Sequence, residues 1–209
     1  MNSIEKIIAR ELLQINAVKL NVEKPFVWAS GWHSPIYCDN RITLSYPDVR
    51  KRIYESLTDI VQKKFKAAEV IAGVATGAIA HGVLVAEKLN KPFVYVRPAP
   101  KTHGLGNIVE GELPPGSKVV VIEDLISTGG SSLAAVDVLR KAGADVLGMA
   151  AIFSYGFATP RRSFEKSDCV LYTLTNYITL IEEALACGYI AAQDIETLKQ
   201  WREHPDEWK

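Results

Sequence analysis

KVVVIEDLISTGGSS, residues 118–132, decides how this chain folds. Its first half holds VVVI at 119–122, apolar at every position, so both faces of a strand here must be buried. That places the strand in the interior of a sheet covered on both sides. Glu123 and Asp124 follow at its C-terminal end, where open α/β sheets bind their ligands. Leu125 and Ile126 lead into Ser127, Thr128, Gly129, Gly130 and Ser131. A helix is predicted over 131–142, with Leu133, Val136 and Leu139 inward.

Each residue type in that turn has a physical reason. Glycines let the backbone turn sharply and approach a ligand. Free N–H groups at a helix N-terminus attract a phosphate, and the hydroxyls add donors. Two carboxylates beside a phosphate repel it unless a sugar lies between them. Carboxylates accept hydrogen bonds from vicinal ribose hydroxyls and can help to hold Mg²⁺. Acids, then hydroxyls, then glycines therefore describe a ribose 5-phosphate site. A lone Gly-Gly would be read as a plain turn, and lone acids as caps or solvated groups. The whole string at the end of a buried strand is not. No Lys follows the glycines, so this is not a Walker A loop, and the GxGxxG spacing of a dinucleotide turn is missing. Gly104-Leu105-Gly106 also lacks the third glycine.

Working outward, EVIAGVA at 69–75 and PFVYVR at 92–97 are predicted strands, with a helix over 77–89 between them. A Gly-rich loop occupies 98–116. Downstream, DVLGMAAIFSY at 145–155 and CVLYTLT at 169–175 complete five strands. Two more helices close the chain, the last carrying Ile195, Leu198 and Trp201. Apolar strands alternating with helices predict an α/β fold: a central, mostly parallel five-stranded sheet flanked by helices. Upstream, Ile4, Ile7, Ile8, Leu12 and Ile15 share one helical face. Pro47 suits the first turn of a second helix, striped by Val49, Ile53, Leu57, Ile60 and Val61. Between these helices lies FVWASGWHSPIYCDNR at 26–41, rich in Trp, Ser, His and Tyr.

The 209 residues are 48% hydrophobic and 23% charged, enough for one domain with a substantial core. Lys plus Arg equals Asp plus Glu at 24 each, which disfavours a nucleic-acid binder. MNSIEKIIARELLQ is too charged for a signal peptide, and no apolar run reaches bilayer length. Cys38, Cys169 and Cys187 are odd in number and widely spaced. They point to a reducing compartment, the cytoplasm by default, with neither a disulfide framework nor a zinc site.

The 118–132 string resembles the phosphoribosyl diphosphate signature of the type I phosphoribosyltransferases. Two further segments are similar to the orotate phosphoribosyltransferases among them. In Arg97-Pro98-Ala99-Pro100-Lys101-Thr102-His103-Gly104, the residues Arg97, Lys101, His103 and Gly104 match that family's catalytic loop. Pro98 stands where many members carry a second Lys. Ser30-Gly31-Trp32-His33-Ser34-Pro35 resembles the Ser-Gly-x-x-Ser-Pro stretch of the hood over the base. Ala29 replaces a frequent Lys, Ala75-Thr76-Gly77 replaces a Tyr-Lys in the diphosphate loop, and Ser154-Tyr155 replaces an Asp-Arg whose Arg pairs with orotate. A subgroup shares the ASG, SPIYCDNR and EDLISTGGS wording. The resemblance runs from the first helix to the last strand.

It implies a type I phosphoribosyltransferase fold, a single domain over 1–209 with a small hood from about residues 1–45. It implies transfer of the 5-phosphoribosyl group from phosphoribosyl diphosphate to orotate, giving orotidine 5′-monophosphate and diphosphate in UMP biosynthesis. Lys101, His103 and Asp124 would be catalytic. Arg97, Lys101, His103, Glu123, Asp124, Leu125, Ile126, Ser127, Thr128, Gly129, Gly130 and Ser131 would bind phosphoribosyl diphosphate, and Ser127 would touch orotate. Mg²⁺ would be held mainly by substrate, with no nucleic-acid or membrane partner, and relatives share the catalytic loop across a homodimer. Ala29, Pro98 and Tyr155 leave the partner of the orotate carboxylate open. A purine or uracil transferase would lack the catalytic loop and the hood stretch. A non-catalytic regulator would show a basic face and lose the loop cations. His81 reads as packed or capping and His204 as solvated, while His33 lies in the hood. Trp28, Trp32 and Tyr37 fit core packing or base stacking equally.

Overall fold

The computed structural model describes residues 3–28, 31–98, 108–206 and 208. Helix α1 (Ile4–Gln14) is capped by the Ser3 hydroxyl and buries Ile8, Ala9, Leu12 and Leu13. The polar stretch that follows is not a plain loop. Strand β1 (Val18–Leu20) pairs antiparallel with β4 (Ile36–Cys38), and between them β2 (Phe26–Val27) pairs with β3 (His33–Ser34). A 3-10 turn (Asn40–Ser45) then delivers the chain to α2 (Pro47–Lys64), with Pro47 in its first turn as expected.

The five predicted strands are all present: β5 (Val70–Val74), β6 (Phe93–Val96), β8 (Lys118–Ile126), β9 (Asp145–Ser154) and β10 (Leu171–Asn176). A sixth, β7 (Val109–Glu110), lies within the Gly-rich segment and pairs antiparallel with β6 at the sheet edge. The order is β10-β9-β8-β5-β6-β7, parallel except for β7. Helices α3 (Ile79–Leu89), α4 (Gly130–Lys141), α5 (Ala158–Lys166), α6 (Tyr177–Ala186) and α7 (Asp194–Glu203) complete the chain. The sequence reading named no helix between the fourth and fifth predicted strands. There α5 buries only Pro160 and Phe164, too thin a stripe to read.

Strand β8 shows why its string is apolar throughout. Val120 and Ile122 enter the core beneath α1, α2 and α6, while Val119 and Val121 enter the opposite core beneath α4 and α5. All four are fully buried, each contributing about 1.5–3 kcal/mol relative to exposure. From β5 the chain continues to β6 on one side, and from β8 to β9 on the other. The boundary between β5 and β8 is therefore a topological switch point, and the C-terminal ends of these two strands open into a crevice. No helix among the described residues is long and apolar enough to cross a membrane.

Candidate active site

The crevice at that switch point is a cleft of about 420 Å³ built by three segments. The end of β5 supplies Val74, Ala75, Thr76 and Gly77; the end of β8 and the turn into α4 supply Glu123, Asp124, Leu125, Ser127, Thr128, Gly129 and Ser131. The third, Cys38, Asp39 and Arg41, comes from the N-terminal segment.

The turn after β8 behaves as its composition dictates. Gly129 has φ +78, a left-handed conformation that suits glycine, and a Cβ there would press against Phe164 and Pro160 of α5. Helix α4 starts at Gly130 with no side-chain cap, so its first N–H groups lack partners from the helix itself. Ser127 is half-buried, and Thr128 and Ser131 are exposed at the cleft. Ile126 is fully buried in the sheet, so only its backbone lies near the turn.

The two acids differ. Glu123 is 4% exposed and both its oxygens are engaged. Ser132 Oγ donates to Oε2 at 2.8 Å, and the Asp124 backbone N–H donates to Oε1 at 3.0 Å. Burial first, and then the neighbouring Asp124 carboxylate, push the Glu123 carboxyl well above the usual carboxylate range. Asp124 is half-buried and its carboxylate lies over Gly77, where a Cβ would collide with it. That glycine lets the ends of β5 and β8 close on one another. The Ala75–Thr76 peptide is cis.

Within the N-terminal segment, Asp39, Asn40 and Arg41 are site residues that the sequence did not single out. Asn40 is 1% exposed, and its Nδ2 donates to the Asp124 carbonyl at 2.6 Å. Asp39 caps the 3-10 turn through Arg41 N–H and also takes both Nε and Nη2 of Arg41, at 2.7 and 2.8 Å. Burial, with Asp124 and Asp39 nearby, raises the Cys38 thiol well above its ordinary range. The composition of SPIYCDNR and its likeness to the hood stretch mark the segment, but nothing in its pattern shows which of its polar residues face the cleft.

Other expected residues fall elsewhere. Arg97, at the end of β6, is absent from the cleft lining and pairs with Glu110 of β7 at 3.3 Å. Lys101 and His103 lie outside the described residues, as do Ala29 and Ser30. Tyr155 is 2% exposed and packs among Trp28, Phe153, Phe157, Tyr177 and Trp201. Trp28 belongs to this aromatic core, its Nε1 donating to Ile36 O, while Tyr37 is exposed beside Phe26. His81 is fully buried, its Nε2 3.0 Å from Thr43 Oγ1, and burial lowers its pKa to about 4. It is packed, as expected. His33 and His204 are exposed.

A buried strand ending in two acids, a glycine turn without a capping side chain, and a switch-point cleft define an α/β protein with its candidate site at the C-terminal ends of the central strands. A family model for the phosphoribosyl transferase domain matches residues 43–186, and the chain belongs to that family. A relative in Porphyromonas gingivalis named orotate phosphoribosyltransferase is 55% identical over 208 residues, covering 100% of this chain and 99% of its own. One of the same name in Phocaeicola vulgatus is 54% identical over 209 residues, with the same coverage of both chains. The crystal structure of orotate phosphoribosyltransferase from Aeropyrum pernix superposes with a TM-score of 0.74 at 27% identity, covering 88% of this chain and 99% of that one.

Proposed function

We infer that this protein transfers the 5-phosphoribosyl group from phosphoribosyl diphosphate to orotate, releasing diphosphate and giving orotidine 5′-monophosphate for UMP biosynthesis. The observation that carries the reading is the cleft between β5 and β8, where acids and a phosphate-accepting turn converge. Identity of 55% to an orotate phosphoribosyltransferase, across essentially the whole of both chains, supplies the acceptor base.

The reaction breaks the C1–O bond to diphosphate and forms a bond from C1 to a ring nitrogen of orotate. Positive charge grows on the ribose as the bond breaks. No side-chain nucleophile is required, so the work is electrostatic and positional. Glu123 and Asp124 accept hydrogen bonds from the ribose hydroxyls. Thr128 to Ser131 receive the 5′-phosphate on the open N–H groups of α4. Leu125 and Ile126 contribute backbone, and Ser127 meets orotate. Burial and the neighbouring Asp124 carboxylate raise the Glu123 pKa, which disfavours two full charges side by side at the end of β8. Lys101 and His103 supply charge to the departing diphosphate, and His103 can add a proton. The acids fit Mg²⁺: they are hard oxygen donors, too few to enclose an ion that keeps water and phosphate ligands. Asp124 would hold it jointly with the substrate, and the bound ion would neutralise charge on the diphosphate.

The N-terminal segment serves as a hood over the base in a single 1–209 domain. The protein works as a cytoplasmic homodimer that shares the catalytic loop. Three unpaired cysteines support the compartment.

The test is to mix purified protein with phosphoribosyl diphosphate, Mg²⁺ and orotate and follow the loss of orotate absorbance. Turnover with orotate is expected. Turnover only with uracil or a purine would overturn the acceptor, and none with any base would favour a regulator.

A further inference from the structure

Three carboxylates, Asp39, Glu123 and Asp124, face the phosphoribosyl cleft, and among its described lining residues Arg41 is the one cation. Phosphoribosyl diphosphate brings a polyanion into that crevice, where this guanidinium would add to the charge that Lys101, His103 and Mg²⁺ supply. We propose that Arg41 is a diphosphate-binding residue, gripping the pyrophosphoryl group of the substrate from within its own subunit. This rests on the phosphoribosyl diphosphate reading above but is independent of which base accepts the sugar.

Arg41 is preorganised for such a contact. Asp39 takes its Nε and Nη2 in a two-point fork, which fixes the guanidinium plane. The two N–H bonds of Nη1 and one of Nη2 remain on the outer edge, a second fork matched to phosphate oxygens. The side chain is 61% exposed, so the outer edge is open to a ligand. Arg41 also interacts electrostatically with Asp124, the acid that lies over Gly77.

Its backbone is anchored at the diphosphate side of the cleft. Asn40 is tied to Asp124 O of β8. Thr43 Oγ1 donates to Asn40 O and so accepts from Nε2 of His81, which lies on α3, the helix that follows the Ala75–Gly77 turn. The backbone on either side of Arg41 is thus tied to the end of β8 and to the helix that follows the 75–77 turn. The 75–77 turn itself offers only backbone and the Thr76 hydroxyl, because Asp124 fills the space that a side chain at Gly77 would need. Among the described lining residues, the cation at this end of the cleft comes from the neighbouring segment.

The test uses the full-length protein and three readouts. Phosphoribosyl diphosphate and inorganic diphosphate are titrated calorimetrically in Mg²⁺ without any base, and KM values for both substrates are measured. Arg41→Ala should weaken both titrations by roughly ten- to a hundred-fold, the scale of losing a charge-assisted fork. KM for phosphoribosyl diphosphate should rise in parallel, with KM for orotate held within about two-fold, and Arg41→Lys should restore part of the loss. A thermal midpoint near that of the wild type would confirm that the fold is intact. A rise confined to KM for orotate would overturn the proposal and move Arg41 to the base. Unchanged titrations would leave Arg41 a surface ion pair and also overturn it. Failure of orotate to turn over would leave the titrations readable, so the two readings fail separately.

Discussion

Asn40 and Asp124, 84 residues apart in sequence, are joined by a 2.6 Å hydrogen bond from the amide of one to the backbone carbonyl of the other. The bond fastens the N-terminal segment to the strand end that carries Glu123 and Asp124. Asn40→Ala leaves that carbonyl without its donor in a nearly closed site. The expected loss is about 1–3 kcal/mol of stability, read from the urea midpoint. Turnover should fall as well, because Asp124 is no longer held. Asn40→Asp should do no better, since an ionised carboxylate cannot donate and adds charge beside Asp124. Wild-type turnover in both variants would show that the bond does not position the site.

Gly77→Ala puts a methyl group where the Asp124 carboxylate lies. The carboxylate must move, and displacement of a positioned group in a site of this kind costs about a hundred-fold in rate. Steady-state kcat against a wild-type control checks it. Undiminished kcat would mean that Asp124 has no fixed role at this position.

Glu123 carries a pH signature. Its folded-state pKa is raised from an ordinary value near 4.5, by burial first and Asp124 second. Below that ordinary value the carboxyl is neutral in both folded and unfolded chains. As pH climbs, the unfolded chain ionises before the folded one, so stability is lost until pH passes the folded pKa. Glu123→Gln keeps the shape, since its amide can accept from Asp124 N–H and donate to Ser132 Oγ. In the ligand-free protein the variant should melt higher than the wild type at neutral pH. The gap should close near pH 4 and below, in thermal scans from pH 4 to 8. Activity should fall while stability rises. A gap that widened on acidification would contradict the assignment.

Lys101→Ala removes a cation expected to stabilise the leaving diphosphate. Turnover should fall by about a hundred- to a thousand-fold, while binding of orotidine 5′-monophosphate persists. Stopped turnover with lost nucleotide binding would instead give Lys101 a ground-state role.

The legible parts of the fold were those with long apolar runs. Strands β5, β6, β8 and β9 each carry a continuous apolar stretch, and β10 holds Leu171, Tyr172 and Leu174. Strand β7 has two half-buried residues, and its pairing with β6 arises from the chain doubling back, which no local pattern encodes. The phosphate half of the site was readable because acids, hydroxyls and glycines are contiguous there. Asn40 and Arg41 were hidden for the opposite reason: their partners, Asp124 and the cleft, are distant in sequence. Tyr155 shows the limit of matching by position, for its side chain belongs to the aromatic core and not to the crevice.

Helix α7 touches the earliest part of the chain. Trp201 Nε1 donates to His33 O, its ring meets Trp28 at 5.7 Å, and Arg202 holds the carbonyls of Tyr155 and Gly156. During synthesis the β2–β3 hairpin leaves the ribosome long before these partners exist. At ordinary elongation rates the interval is about 10–30 s. Through that time the nascent chain holds Trp28 without Trp201 beside it, so this aromatic cluster is the last part of the core to close. Shortening the C-terminus should therefore show itself first in expression yield and chaperone dependence.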